Sequence, residues 1–200
     1  MQTALIIAVI VQWVAIVGLA ALLLAVLRQI GVIHQRLAPM GALALPGGPA
    51  VGTVAPGFEL PSLSGSLVKV GGRSARDTLL FFLSPTCPVC KELLPALKSF
   101  ARDEGRQLDV VLASDGDAAE QRRMVRDNGL EAMPLVLSTE LGQAYAVGKL
   151  PYAVIITADG KLAAKGLVNS REHLESLVEA RSRGVATLQD YLAGTRAAAE

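Results

Sequence analysis

Two cysteines and two histidines in a chain of 200 residues are too few for a disulfide framework or a four-ligand structural zinc site. Whatever cysteine chemistry exists must lie in one pair. Aromatic residues make up only 4%, and the formal net charge of +1 sets 19 basic groups against 18 acidic ones. No broad basic surface follows from that balance, so nucleic acid is not an expected partner. Internal repeats and blocks of like charge are also missing. Apolar residues are abundant: 52% of the chain is hydrophobic and mean hydropathy is +0.43. That is high for an ordinary soluble domain, and it points to a membrane segment attached to one domain.

The segment is at the N-terminus. Thr3 to Leu27 carries no formal charge, and as a helix it would be ~37 Å long against a hydrocarbon core of ~30 Å. A cleaved signal peptide fits less well. No Lys or Arg precedes the run, the run exceeds the ~7–15 residues of a signal h-region, and Ala42-Leu43-Ala44 lies well past its end. Residues 1–37 are therefore expected to form a retained single-pass anchor with a short helical extension, ending where Ala38 precedes Pro39. Gln12 and Trp13 interrupt the run; the bilayer tolerates both, and Gln12 could also hydrogen-bond to a second membrane helix. His34 is expected to be interfacial and polar.

Residues 38–57 are dense in Pro and Gly and show no periodicity, as expected of an irregular spacer, with Leu43, Leu45 and Val51 placed to touch the domain. Residues 58–200 alternate strand and helix. FEL and LVKV flank Gly65-Ser66 as a small hairpin, and Thr78–Leu83 is a continuous apolar run suited to a strand buried on both faces. Residues 88–104 place Leu93, Leu94, Leu97 and Phe100 at helical spacing, with Pro88 in the first turn and Pro95 inside, where a kink is expected. LDVVLA is a buried strand. The polar helix after it stops at Asn128-Gly129, PLVLS is extended, and ELGQAYAV makes about two helical turns. PYAVIIT and KLAAKGLV form a hairpin through Asp159-Gly160, and a last helix from Arg171 to about Leu192 uses Leu174, Leu177 and Val178 as its apolar face. The fold class is α/β, a central mixed sheet with helices on both faces.

Chemistry concentrates at the join between the central strand and its helix, Ser84-Pro85-Thr86-Cys87-Pro88-Val89-Cys90-Lys91. A cysteine before a helix meets unsatisfied backbone N–H groups and the positive end of the helix dipole, so its thiolate is favoured. Cysteines three apart at a helix start can close a disulfide, and such pairs lower the first thiol from ~8.5 into the ~3.5–7.5 range. Cys87 is then the exposed nucleophile and Cys90 the shielded resolving thiol. A bare C-x-x-C also fits two buried structural cysteines or half a metal site. The preceding strand, the following helix and the want of a second cysteine pair argue against both.

From Val51 to about Val178 the chain resembles the thioredoxin superfamily. The likeness rests on the strand, C-x-x-C and helix order, on Pro95 five residues after Cys90, and on Leu150-Pro151 before YAVIIT, where that family places a cis proline facing the disulfide. The resemblance makes Leu150 and Pro151 a substrate edge. VGTVAPGFELPSLSG looks like the opening of the redoxin and peroxiredoxin branch. TLLFFLSPTCPVCKELLPALKSF, with a membrane helix followed by RQIGVIHQRLAPMGAL, narrows the likeness to the thioredoxin-like proteins of methylamine utilisation. That resemblance implies a single-pass protein of the bacterial inner membrane with its domain in the periplasm. It would act as a disulfide oxidase or isomerase on the disulfide-rich light subunit of methylamine dehydrogenase, together with a polytopic membrane redox partner. No cofactor or metal is implied beyond the Cys87–Cys90 pair. A thiol peroxidase, a non-catalytic scaffold and a cytochrome c maturation reductase are the alternatives. Pro85 and Thr86 stand too close to Cys87 for the usual peroxidase spacing.

Two departures bear on mechanism. Where many thioredoxins bury an acid beneath the second cysteine this chain has Phe81, and where some anchored reductases use a glutamate it has Leu93. Glu92 is expected to be solvated, Lys91 to favour a Cys90 thiolate by proximity, and His173 to lie on the surface. Topology is contested as well: Arg28 and Arg36 follow the span, and the positive-inside rule alone would put that side in the cytoplasm.

Overall fold

A computed structural model describes residues 47–183 and, nearer the N-terminus, residues 2, 6, 12, 13 and 16–19, all of these last in helical conformation. The expected span over Thr3–Leu27 lies for the most part outside the described residues, as do its extension, the first part of the spacer and the last helix beyond Arg183. Among the described residues no helix is long and apolar enough to cross a membrane. The chain divides into Met1–Met40 and Gly41–Glu200, and the fold described below belongs to the second unit.

β1 (Phe58–Pro61) and β2 (Leu67–Val70) form an antiparallel hairpin of their own. The main sheet holds β3 (Asp77–Phe82), β4 (Leu108–Ser114), β5 (Leu135–Leu137), β6 (Tyr152–Ile156) and β7 (Leu162–Leu167) in the order β5-β4-β3-β6-β7. β3, β4 and β5 run parallel, while β6 and β7 are antiparallel additions. α1 (Pro88–Glu104), α2 (Ala118–Asn128), α3 (Thr139–Ala144) and α4 (Arg171–Arg183) complete the unit.

β3 is central and buried on both faces, as its unbroken apolar run requires. Its alternate side chains Leu79 and Phe81 join a core with Leu93, Leu94, Leu97 and Phe100 of α1, Met124 of α2 and Leu174 and Leu177 of α4. Leu80 and Phe82 point the other way, into a core with Val68 and Val70 of the hairpin, Leu141 of α3 and Tyr145. Helices therefore cover both faces. α1 runs through Pro95, which sits on the exposed side, where water can take the carbonyl that its missing N–H leaves unbonded.

Local signals end the elements. Asp117 caps α2 by accepting the N–H groups of Ala119 and Glu120, both at 2.9 Å, and Gly129 closes it with φ 61°. At the β6–β7 turn Gly160 has φ +84°, and a Cβ there would stand 2.7 Å from the Gly72 carbonyl oxygen, so only glycine fits. Asp77, which opens β3, accepts from the Ala158 N–H and from Arg181 of α4, both at 2.7 Å, and so fastens the last helix to the sheet.

The last part of the Pro/Gly-rich spacer is ordered against the domain. Gly52 donates its N–H to the Leu162 carbonyl at 2.7 Å, Leu162 donates back to Thr53 at 2.9 Å, and Ala55 donates to Gly160 at 2.9 Å. This places residues 52–55 along the free edge of β7. Lys165 Nζ adds bonds to the carbonyls of Gly47 (2.6 Å) and Pro49 (3.0 Å).

Candidate functional site

The chain leaves β3 at Leu83 and turns through Ser84-Pro85-Thr86 into α1. Cys87 donates its N–H to the Ser84 carbonyl at 3.1 Å, while Ser84 Oγ accepts the Thr86 N–H at 3.3 Å and lies 2.9 Å from Thr86 Oγ1. This compact turn sets Cys87 as the N-cap of α1, with Pro88 filling the first helical position, where no N–H is needed. Cys87 Sγ accepts the Cys90 N–H at 3.1 Å. The two cysteines are joined as a disulfide with their Cα atoms 5.2 Å apart.

Burial separates the two sulfur positions. Cys87 is half-buried, whereas Cys90 is 1% exposed and packed in the core with Phe81, Leu83 and Leu93. An attacking or incoming thiolate thus meets Cys87 first. On reduction, the Cys90 N–H and the helix dipole remain aimed at Cys87 Sγ and stabilise its negative charge. Phe81 and Leu93 surround Cys90 with hydrocarbon, and Lys91 and Glu92 both point to solvent. Among the described residues no group of three or more His, Cys, Asp and Glu could hold a metal ion. His173 lies in α4, where its Nδ1 accepts the Asn169 N–H at 3.4 Å, and takes no part in the site.

The Leu150-Pro151 bond is cis. β3 and β6 are neighbours with Phe82 opposite Tyr152, so Leu83 and Pro151, the next residues out, sit together at the dithiol end of the sheet. Pro151 is buried and its carbonyl accepts from Val168 at 3.1 Å. The Leu150 carbonyl, by contrast, has no partner among the described residues. Leu150 is 37% exposed and Val89, between the cysteines, 39%. An apolar rim therefore flanks the half-open sulfur.

One part of the site is not apparent in the sequence. Ser114, the last residue of β4, donates from Oγ to the Leu83 carbonyl at 2.8 Å, and Gln121 Nε2 donates to Ser114 Oγ at 2.7 Å and to the Asp115 carbonyl at 2.8 Å. Both side chains are buried within a helix and strand end that read as polar and apolar respectively. The one available signal is the i, i+3 spacing of Gln121 and Met124, the two buried residues of α2.

A mixed sheet with a disulfide at the junction of its central strand and the following helix defines a thioredoxin-fold dithiol protein. Solved structures share that fold: a thiol-disulfide oxidoreductase from Bacteroides fragilis is 24% identical, with a TM-score of 0.55, over 64% of this chain and 98% of that one. Residues 50–181 match the redoxin family. Similarity is much higher to the methylamine utilization protein MauD of Methylorubrum extorquens, 48% identical over 182 residues covering 90% of this chain and 88% of the relative. The MauD of Paracoccus versutus is 45% identical over 187 residues, 94% of each chain. The chain belongs to the MauD family of redoxins, and its fold is thioredoxin-like.

Proposed function

We propose that this protein is a thiol-disulfide oxidoreductase, anchored in the bacterial inner membrane by Thr3–Leu27, with its dithiol domain in the periplasm. Its proposed client is the disulfide-rich light subunit of methylamine dehydrogenase. The observation that carries the redox part is the asymmetry of the pair: Cys87 half-buried at the helix cap and Cys90 shielded beneath it. The MauD relationship supports the methylamine setting. A disulfide-rich client needs an oxidising compartment, and this outweighs the weak charge bias of Arg28 and Arg36.

In the oxidising direction a client thiolate attacks Cys87 Sγ, the Cys87–Cys90 bond breaks with its electron pair on Cys90, and client and Cys87 share a mixed disulfide. A second client thiolate then attacks the client sulfur and Cys87 leaves as thiolate, so the client gains the disulfide and the protein holds the two electrons. A polytopic membrane partner would accept them. For isomerisation, Cys87 thiolate attacks a wrong client disulfide and Cys90 serves as the escape, attacking Cys87 Sγ and expelling the client thiolate.

Substituting Cys90→Ser removes that escape and should trap a client on Cys87, isolated under non-reducing conditions and identified by mass spectrometry. The light subunit is the expected partner, and Cys87→Ser should trap nothing. Adducts formed equally through both cysteines, or only with cytochrome c apoproteins, would overturn the maturation reading. A phosphatase fused after Glu200 should be active; an inactive fusion alongside a fluorescent cytoplasmic reporter would reverse the topology.

A further inference from the structure

The cis bond at Pro151 is reached from α3 through an exposed loop that ends in Gly148, Lys149 and Leu150. These three residues make no hydrogen bond among the described residues, so the position of the loop is set by its two ends. One end is firm, because Pro151 is buried and its carbonyl accepts from Val168 at 3.1 Å. The other end, at Tyr145 and Ala146, is strained. Ala146 donates its N–H to the Gln143 carbonyl and Val147 to that of Gly142, both at 2.9 Å, the pair of bonds that closes a helix through a left-handed residue. Glycine is usual at that position. Here alanine takes it with φ 51°, the one non-glycine residue of positive φ among the described residues. Such a conformation is costly for alanine and persists where the surroundings impose it.

The surroundings are the docked spacer. Gly48 passes so close to Tyr145 that a Cβ on it would lie 2.6 Å from the Tyr145 carbonyl oxygen, and 3.2 Å from Ala146 Cβ. A Cβ on Gly47 would lie 3.5 Å from the same Ala146 Cβ. Tyr145 is also tied at its far end, where its hydroxyl donates to the Pro56 carbonyl at 3.0 Å. Val51 of the spacer and Val147 of the loop pack against the one core that holds Tyr145. Lys165 of β7, half-buried, keeps the spacer in place by bonding the carbonyls of Gly47 and Pro49.

We infer that the docked spacer, through Gly48 and Lys165, positions the loop from Ala146 to Leu150 and with it the Leu150-Pro151 edge beside the dithiol. Gly48 and Lys165 are positioning residues, acting through Tyr145 and Ala146 and not on the disulfide itself. The inference rests on the dithiol reading and on Leu150-Pro151 as the edge met by a client. A polypeptide laid along that edge must bring its sulfur into line with the Cys87–Cys90 bond, so its rate depends on where the loop stands. A small dithiol needs no edge and is indifferent to the loop.

The test gives the oxidised full-length protein, in mild detergent, two reduced substrates: dithiothreitol and a short peptide with two cysteines. In either reaction the substrate thiols become a disulfide and the Cys87–Cys90 bond becomes a dithiol. Lys165→Met and Gly48→Ala should each slow the peptide at least about fivefold, while the dithiothreitol rate stays within about twofold and the reduction potential is unchanged. Lys165→Met alters no backbone and carries the test should Gly48→Ala fail to fold. Lys165→Arg keeps donors for both carbonyls and should behave as the parent protein does. Adding Ala146→Gly to Lys165→Met should restore most of the peptide rate, because glycine holds the left-handed turn without support. Peptide rates that do not change, or that fall together with the dithiothreitol rate, overturn the inference and leave the dithiol reading standing. A selective loss that Ala146→Gly leaves unrepaired overturns it too, since the effect would not pass through Ala146. If the parent protein fails to oxidise even dithiothreitol, the dithiol reading itself has failed and the positioning role falls with it.

Discussion

Ser114 Oγ holds the Leu83 carbonyl at 2.8 Å, a side-chain bond between two parallel strands at the point where the dithiol turn departs. The main-chain ladder reaches the same place, with the Leu83 N–H donated to Ala113 at 3.0 Å. Leu83 is thus fastened through both its polar groups, and the turn to Cys87 starts from a fixed atom.

Ser114→Ala removes the hydroxyl and leaves the Leu83 carbonyl short of a donor and Gln121 Nε2 short of an acceptor, both away from water. A loss of about 1–3 kcal/mol is expected, read as a lower denaturant midpoint at unchanged slope. Ser114→Ala combined with Gln121→Leu should cost less than the sum of the single changes, because the orphaned amide goes with it. Additive costs would show that the two side chains act separately.

The dithiol makes a kinetic prediction. In the reduced protein Cys87 should be alkylated at least about tenfold faster than Cys90, with an apparent pKa below the free value of ~8.5. Its half-exposed position and the Cys90 N–H aimed at its sulfur both favour this. Mass spectrometry of partly alkylated protein reads the ratio directly, and a Cys90 that reacts as fast removes the assignment of nucleophile and resolving thiol.

These two sites differ in how far the sequence discloses them. The cysteine pair is local: an apolar run, a turn with prolines and a helix with Leu93, Leu94 and Leu97 at regular spacing place it before any tertiary contact is known. Asn128-Gly129 and Asp159-Gly160 mark their turns for the same reason, since left-handed backbone is a local demand. Ser114 and Gln121 are not local. They come from separate elements, and Gln121 lies in a helix whose other polar residues are mostly solvated, so its burial follows only from where β4 ends. The docked spacer was hidden in a similar way. Residues 47–55 have no periodicity, and what orders them is the free edge of β7 and the reach of Lys165.

Tyr145 gives a prediction in pH. Its hydroxyl donates to the Pro56 carbonyl at 3.0 Å, and burial pushes the phenol well above its ordinary range. An unfolded tyrosine ionises near ~10 while this one stays protonated, so the native state binds the extra proton and loses stability as pH rises above about 10. Below that pH the contribution is fully present. Tyr145→Phe should cost about 1 kcal/mol near neutrality by loss of the hydrogen bond, and its stability should then fall less steeply between about pH 10 and 11. Denaturant titrations across that range distinguish the two slopes; equal slopes would mean that Tyr145 ionises as readily in the folded protein.

The docked spacer can be loosened at two separate points, and the comparison tells which contacts hold it. Gly48 has φ +68°, and a Cβ there would lie 2.6 Å from the Tyr145 carbonyl oxygen, so Gly48→Ala faces both a left-handed backbone penalty of about 1–2 kcal/mol and a clash with main chain that cannot swing aside. Lys165→Met keeps the apolar stem against β7 but removes the donor to Gly47 and Pro49. Both substitutions act upstream of the ladder bonds of Gly52 and Ala55 to Leu162 and Gly160. If the spacer is held as a unit, either change should speed amide exchange at Gly52 and Ala55 by at least about tenfold and leave Leu79 and Leu80 in β3 untouched, since edge segments open locally without unfolding the sheet. Exchange that accelerates at residues 47–49 alone would show instead that residues 52–55 are held by β7 independently, and that the anchored length of the spacer starts at Gly52.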